Sequence, residues 1–211
     1  MPPYWIGAAA RVSASGLSRQ GGFIVDAGRG EDTEVPPVVS RLHFPESWRL
    51  VLIMDPDCQG ISGPPERQAF EALEPMPQAT AHTLSWLVLM QALPAIAESD
   101  CSRFGEAISG IQEIIGDYFS PVQGGRFYSQ AVAGVVTSLG AAGASGIGQS
   151  SWGPTGFAIF PSETQAHQAI RQLRDAGNMP AGLDIRICRG RNRPAEIRED
   201  AAARNQRLKS L

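Results

Sequence analysis

Three helix patterns follow one another between residues 79 and 140, and strand patterns flank this block on both sides. The first, over 79–98, is apolar nearly all round, as expected of a central helix. The second, over 100–116, places apolar residues four, three and four positions apart, which is one helical stripe. The third covers 128–140. This order predicts an α+β fold, with helices packed on one face of a small, mostly antiparallel sheet.

Short apolar segments predict the strands. They are "GGFIVDAG" (21–28), "WRLVLIMD" (48–55), "TGFAIF" (155–160) and "LDIRIC" (183–188). The continuous apolar run at 48–55 predicts burial on both faces, whereas the alternation at 183–188 predicts an edge or one-sided strand. Two further helices are expected, one from Pro64 to about Leu73 and one beginning at the Ser162–Gln165 capping pattern. Residues 29–38 and 56–65 are expected to be loops, and 120–129 a connection.

Composition excludes several classes of function. The chain has 211 residues and a formal charge of −3, so it lacks the chain-wide basic field of a nucleic-acid-binding protein. Its three cysteines are odd in number and widely spaced, which predicts reduced thiols and a cytoplasmic location rather than disulfides. The apolar stretch 84–97 is too short and too polar to span a bilayer, and it predicts a buried helix. We also expect no signal peptide in residues 1–15.

The segment "GIGQSSWGPTG" (146–156) is the most unusual in the chain. Glycines at a turn between a helix and a strand can aim several main-chain N–H groups at one anion. That interpretation makes phosphate ligands of five residues: Gly146, Gly148, Gln149, Ser150 and Ser151. The alternative is a tight turn in which Trp152 serves as a core anchor.

Two arginines are further candidates for binding a substrate. Arg126 follows Gly124 and Gly125, and a guanidinium beside flexible backbone suits phosphate or carboxylate. An ordinary turn with a surface arginine is the equal alternative. Arg67 lies at a predicted helix start and is a weaker candidate. The helix dipole is a sufficient reason for the neighbouring Glu66, so that residue indicates no site.

Three aspartates are weak candidates for catalysis or metal binding. Asp26 ends a predicted strand and could hold a metal or a ribose hydroxyl, or could simply hydrogen-bond to its own turn. Asp55 and Asp57 flank a proline, as turn residues often do, and a paired magnesium site is the alternative. The general acid and base of any reaction stay unassigned, with Asp26 as the one weak candidate.

Six segments, read together, resemble the β-ribofuranosylaminobenzene 5′-phosphate synthases, a divergent family of the GHMP kinase superfamily. They are "GGFIVDAG", "FPESWRLVL", "GISGPPERQAF", "LPAIAESDCSRFGEAI", "GDYFSPVQGGRF" and above all "GIGQSSWGPTGFAIF". The resemblance covers about residues 16–188. It implies a ferredoxin-like GHMP C-terminal domain at 46–190, preceded by a remnant of the N-terminal domain at 1–45 and followed by a polar tail at 191–211.

The resemblance also implies a reaction. The family condenses phosphoribosyl pyrophosphate with 4-aminobenzoate or 4-hydroxybenzoate in tetrahydromethanopterin biosynthesis, releasing pyrophosphate and carbon dioxide. It implies that the third glycine-rich segment lies near the phosphates. Magnesium is the cofactor expected, without an organic cofactor. The expected partners are these two substrates, with no nucleic acid or membrane, and either a homo-oligomer or pairing with a missing N-terminal half.

The sequence departs from the family in its N-terminal part. Family members are longer there, and nothing before Gly16 matches the superfamily's Gly-Leu-Gly-Ser phosphate loop. Where superfamily kinases carry a catalytic aspartate, this chain has Ser18, or Ala14 if no gap is allowed. Neither is a carboxylate base, which disfavours a small-molecule kinase. The main alternative to the synthase is a truncated or split, non-catalytic homologue that acts as a binding or assembly subunit.

Overall fold

The computed structural model describes residues 21–28, 35–60, 64–150 and 153–194, without the side chains of 64–67. The strands are β1 (Phe23–Asp26), β2 (Val38–Leu42), β3 (Arg49–Met54), β4 (Gly146–Gln149), β5 (Thr155–Phe160) and β6 (Asp184–Cys188). The helices are α1 (Pro64–Glu71), α2 (Gln78–Ala97), α3 (Cys101–Gln123), α4 (Gln130–Ala141) and α5 (Glu163–Asp175). Within α2, the stretch Leu87–Ala92 is π-helical.

An antiparallel sheet with the strand order β4-β5-β3-β6 forms the centre of the fold. Val51 of β3 lies opposite Ala158 of β5 and Ile187 of β6. A second, two-stranded antiparallel sheet pairs β1 with β2. The predicted α+β class with a mostly antiparallel sheet is therefore confirmed, and β6 is the edge strand that its alternation indicated.

Helices pack on both faces of the central sheet, so the prediction of one covered face is wrong. Val51 and Ile53 of β3 share one buried cluster with residues of α4 and α5. Leu50 of β3 and Ile159 of β5 face the other way and pack against α2 and α3. Because successive strand residues point to opposite faces, the continuous apolar run of β3 is what this two-sided burial requires.

The hairpin β1–β2 is attached to two other parts of the fold, helix α3 and the segment that follows β6. The ring of Phe23 packs edge-on against Phe104 of α3, with 5.2 Å between centroids. After β6, the side chain of Asn192 binds both main-chain groups of Phe44: it accepts from the N–H at 2.8 Å and donates to the carbonyl at 2.8 Å. The N–H of Gly22 donates to the carbonyl of Arg191. Residues 191 and 192, expected to begin a tail, thus hold the hairpin.

Two glycines allow α3 to cross directly over β4. A Cβ atom at Gly146 would lie 2.6 Å from Cα of Gly105, and one at Gly105 would collide with the carbonyl of Ser145. Real side chains cannot approach so closely, so this crossing requires glycine at both positions. The segment 146–149, interpreted from the sequence as part of a turn, is instead an edge strand in contact with a helix.

The helices also differ from their predicted bounds. α3 continues seven residues beyond 116 to Gln123, with Pro121 inside its last turns, and ends at Gly124 in the left-handed conformation. The connection to α4 is correspondingly shorter than expected. Strand β2 begins at Val38, where the polar, proline-containing sequence predicted a loop.

Helix α2 is less buried than its sequence predicts. Three apolar side chains, Trp86, Leu89 and Met90, are each more than half exposed. By length and composition the 20-residue helix could cross a membrane, although core helices pass the same test. The inner face of α2 packs on α3 through Leu84 and Val88, which places it in the buried core of the α+β domain. All three cysteines are free, as expected.

The packing of Gly105 can be tested by adding a single methyl group. We expect Gly105→Ala to lower the free energy of unfolding by about 1–3 kcal/mol, because its Cβ meets backbone that cannot move without separating α3 from β4. Gly134 is an exposed helical glycine of α4 with nothing near its Cβ position. Gly134→Ala is therefore the control, with a gain of roughly 0.5–1 kcal/mol from helix propensity. Urea unfolding measures both; a neutral Gly105→Ala contradicts the tight crossing.

A buried arginine joins β3 to the start of α5. Nε and Nη2 of Arg49 donate to one carboxylate oxygen of Glu163 at 3.1 and 2.8 Å. Nη1 of Arg49 donates to three successive main-chain carbonyls, those of 46–48. Hydrogen bonding by Arg49 is the main reason that the pKa of the Glu163 carboxyl lies below its ordinary value. Glu163 also lies in the first turn of α5, where a negative charge is favoured by the helix dipole.

The lowered pKa of Glu163 fixes how its contribution depends on pH. Because the ionised carboxyl is favoured in the folded state, it stabilises the fold fully at pH values above the ordinary pKa of about 4.3. This stabilisation is lost as the pH falls through the lowered pKa. We expect Glu163→Gln to be less stable than wild type by a constant amount between about pH 6 and 8, with the difference shrinking below about pH 4. Denaturant midpoints across this range measure it. Glu71→Gln, at an exposed site, is the control; a difference that grows in acid contradicts the assignment.

Candidate functional site

One end of the central sheet brings together three segments that the sequence singled out. Met54, the last residue of β3, pairs with Thr155, and Gln149, the last of β4, pairs with Gly156. Asp55 and Ser150 follow directly on these strand ends. The loop 124–129, between α3 and α4, lies against the same end through contacts to Gln149 and Asp55. We call this region the sheet-end junction.

Gln149 is the centre of the junction. Its side chain is buried, with 7% of the residue exposed, although the sequence offered it as a substrate ligand. Its Oε1 accepts from the main-chain N–H of Tyr128 at 2.6 Å, and its Nε2 donates to Oε1 of Gln123 at 3.4 Å. Its own main-chain N–H donates to Oε1 of Gln112 at 2.8 Å. One residue thus joins β4, α3 and the loop 124–129.

The main-chain donors of β4 are largely occupied within the protein. As an edge strand, β4 turns alternate N–H groups away from β5, and α3 receives them. Ile147 donates to Oγ of Ser109 at 3.0 Å, in the same manner as Gln149 to Gln112. The N–H of Ser150 donates to the carbonyl of Thr155 at 2.8 Å. The predicted anion cradle is therefore not formed by these amides, and Gly146 and Gly148 instead make room for neighbouring groups.

The serine pair at the end of β4 is only partly described. Ser150 is exposed at the junction. Ser151 and Trp152 lie outside the described residues, so the roles suggested for them stay predictions.

The loop 124–127 carries the junction's available main-chain donors. Gly124 and Gly125 have φ angles of +81° and +154°, values that favour glycine. Nε2 of Gln123 donates to the carbonyl of Arg126 at 3.0 Å. The N–H groups of Gly125, Arg126 and Phe127 make none of the hydrogen bonds found in the described part of the chain. Among the described residues these three N–H groups have no acceptor, so they are the candidate donors for water or a ligand.

The guanidinium of Arg126 is held by carboxylates of α3. It binds Asp117 with two hydrogen bonds, of 2.8 and 2.9 Å, and Glu113 lies 3.4 Å away. The hydrogen bond to Asp117 is the main cause that raises the pKa of Arg126. Gly116 makes room for the side chain, since a Cβ there would lie 2.5 Å from Cγ of Arg126. Two carboxylates around one guanidinium give a net negative charge, which disfavours Arg126 as a phosphate ligand by itself.

Asp55 links the end of β3 to the start of α4. Its Oδ2 accepts from Oγ of Ser129 at 2.6 Å, and its Oδ1 accepts from the N–H of Asp57 at 3.2 Å. The hydroxyl of Ser129 also accepts from the N–H of Val132 at 3.3 Å and so caps α4. Both carboxylate oxygens of Asp55 are thus engaged.

The described residues do not form a dedicated metal site. They include no group of three or more His, Cys, Asp or Glu side chains that could hold a metal ion. Asp55 and Asp57 have the geometry of the turn alternative.

Two further predicted residues, Asp26 and Arg67, lie on β1 and α1. Oδ1 of Asp26 accepts from the N–H of Gly28 at 2.9 Å, which is the local turn expected as the alternative. Arg67 lies on α1, whose Phe70 packs edge-on against Phe119 of α3 at 5.8 Å between ring centroids. This contact sets α1 beside the second half of α3, although the side chain of Arg67 is outside the described residues.

Residues of the junction that sequence reasoning missed include Gln112, Asp117, Gln123 and Ser129. Ser129 carried a recognisable signal, because a serine directly before an apolar helical pattern is a typical N-cap. Asp117 and Gln123 carried none, since their roles depend on α3 continuing past residue 116.

Comparison with known proteins defines the class of this fold. Residues 92–178 match the family described as "GHMP kinases C terminal". Among solved structures, the chain is similar to mevalonate diphosphate decarboxylase from Staphylococcus aureus, with a TM-score of 0.61 and 17% identity, over 87% of this chain and 56% of that one. An identity this low shows the fold alone. Residues 92–178 thus have the fold of a GHMP kinase C-terminal domain.

Two curated relatives, each named beta-ribofuranosylphenol 5′-phosphate synthase, narrow the class. The relative from Methanothermobacter thermautotrophicus is 30% identical over 188 residues, 83% of this chain and 54% of its own length. The relative from Archaeoglobus fulgidus is 32% identical over 191 residues, 84% of this chain and 56% of its own length. The resemblance to this group of synthases is confirmed. The chain spans about half the length of the curated relatives it matches.

The double role of Ser129 gives a test of the junction. Ser129→Ala removes the cap of α4 and the bond to Asp55, and we expect a loss of about 2 kcal/mol in the free energy of unfolding. Ser162→Ala removes only a cap, that of α5, and serves as the matched control with a loss of about 1 kcal/mol. Chemical denaturation measures both. Equal losses mean that the bond between Ser129 and Asp55 adds nothing.

Proposed function

We propose that this chain catalyses a synthase reaction of the kind for which its relatives are named. Phosphoribosyl pyrophosphate condenses with 4-hydroxybenzoate or 4-aminobenzoate, and pyrophosphate and carbon dioxide are released. The phenol in the relatives' name favours 4-hydroxybenzoate as the aromatic acid. The product then serves tetrahydromethanopterin biosynthesis, as the resemblance implies.

The reaction requires mainly electrostatic help from the protein. The bond between ribose C1′ and the pyrophosphate oxygen breaks, and the pyrophosphate leaves with the electron pair. The ring carbon that bears the carboxylate forms the new bond to C1′. Loss of carbon dioxide returns the electrons of its bond to the ring. Donors aimed at the departing diphosphate lower the barrier most, since charge develops there.

The observation that carries the proposal is the convergence at the sheet-end junction. Tyr128 donates to Gln149 there, so the glycine loop lies beside the end of β4, at the residue where the distinctive "QSSW" sequence begins. The N–H groups of Gly125, Arg126 and Phe127, which have no acceptor in the described part of the chain, are suitable donors for a diphosphate. The carboxylates of Glu113 and Asp117 make the surroundings negative, which a magnesium ion bound to the diphosphate offsets.

The alternatives to the synthase are a binding or assembly subunit and a small-molecule kinase. A kinase is disfavoured because Ser18 and Ala14, at the position of the kinase aspartate, are not carboxylates. Both positions lie outside the described residues.

The proposal is tested by release of carbon dioxide from carboxyl-labelled 4-hydroxybenzoate. We expect labelled gas and pyrophosphate in equal amounts when phosphoribosyl pyrophosphate and magnesium are present, and neither product after chelation of the metal. The same assay with 4-aminobenzoate ranks the two acids. Pyrophosphate without carbon dioxide would indicate hydrolysis only. No release of gas from either acid contradicts the synthase, and consumption of ATP that depends on a small alcohol would favour the kinase.

A further inference from the structure

Two glutamine side chains at the junction form a continuous chain of hydrogen bonds with the loop 124–129, which we call the relay. The N–H of Tyr128 donates to Oε1 of Gln149, whose Nε2 donates to Oε1 of Gln123. Nε2 of Gln123 in turn donates to the carbonyl of Arg126. The relay therefore begins and ends on the main chain of the same loop, two residues apart.

The orientation of both amides is fixed by the loop itself. A main-chain N–H at Tyr128 requires the oxygen of Gln149, and the carbonyl of Arg126 requires the nitrogen of Gln123. The remaining nitrogen and oxygen then face each other. If either amide turned over, two donors or two acceptors would meet at one contact, and the buried amide of Gln149 would lose a partner at a cost.

The relay is anchored to rigid elements on both sides. Gln149 ends a strand, and its main-chain N–H is held by Gln112 of α3. Gln123 is the last residue of α3. The loop between them contains two glycines with positive φ, which give the main chain little stiffness of its own. Its shape therefore depends on these side-chain bonds.

We infer that Gln149 and Gln123 are positioning residues, which hold the N–H groups of Gly125, Arg126 and Phe127 in place to receive the diphosphate of the substrate. This inference rests on the proposed function. It assigns Gln149 an indirect role instead of the direct contact with substrate expected from the sequence, because both ends of its buried amide are already bound.

Kinetics separate positioning from a general loss of structure. In Gln149→Ala and Gln123→Ala, we expect KM for phosphoribosyl pyrophosphate to rise about tenfold, equivalent to one hydrogen bond, while KM for the aromatic acid stays within about twofold. The double variant is expected to lose little more than either single variant, because the relay fails as a unit. Gln172→Ala, at an exposed site on α5, is the control. An equal rise in both KM values overturns the inference.

A second measurement does not require turnover. Trypsin cuts after arginine residues, and Arg126 is exposed within the loop. We expect inorganic pyrophosphate with magnesium to slow cleavage of the wild type and of Gln172→Ala, and to protect Gln149→Ala and Gln123→Ala much less. Absence of protection in the wild type overturns the inference, whatever the synthase activity. Protection in a chain that releases no carbon dioxide contradicts the proposed function and leaves the relay supported.

Discussion

The contact between α3 and the edge strand β4 is the constraint on which the candidate site depends. An edge strand presents main-chain N–H groups that need acceptors, and here Ser109 and Gln112 of α3 supply them. The side chains reach the strand because Gly105 and Gly146 let the two backbones touch. Close approach and hydrogen bonding thus reinforce each other: glycines set the distance, and polar side chains on the same helix face use it.

This contact also explains why the junction can form between distant segments. α3 ends at Gln123 in the same region where β4 ends at Gln149, so their two amides meet. The loop that follows α3 is then bound to the end of the strand before α4 begins. Asp55, at the end of the neighbouring strand pair, fixes the other side of the loop through Ser129. The ends of α3, β4 and β3 thus determine the shape of the loop 124–129.

Much of the fold was predictable from residue patterns, whereas the chemistry of the glycine segment was not. The apolar run of β3 and the Ser162 cap of α5 are local patterns, and both form the predicted elements in the folded structure. The residues Gly146 and Gly148 looked like a turn because glycine marks turns and close contacts alike. Only the position of α3 decides between them. Likewise, nothing near Arg126 in the sequence indicates that its partner is Asp117, which lies on α3 nine positions earlier in the chain.

The attachment of the β1–β2 hairpin has a consequence for how the chain acquires its structure during synthesis. The amide of Asn192 and the main chain of Phe44 are separated by 148 positions. A ribosome therefore releases nearly the entire domain before the hairpin can be fastened. Until then, Phe23 has its contact with Phe104 of α3, but the hydrogen bonds from Asn192 to Phe44 are missing. Contacts between residues so far apart in sequence are those that topology makes slow to form.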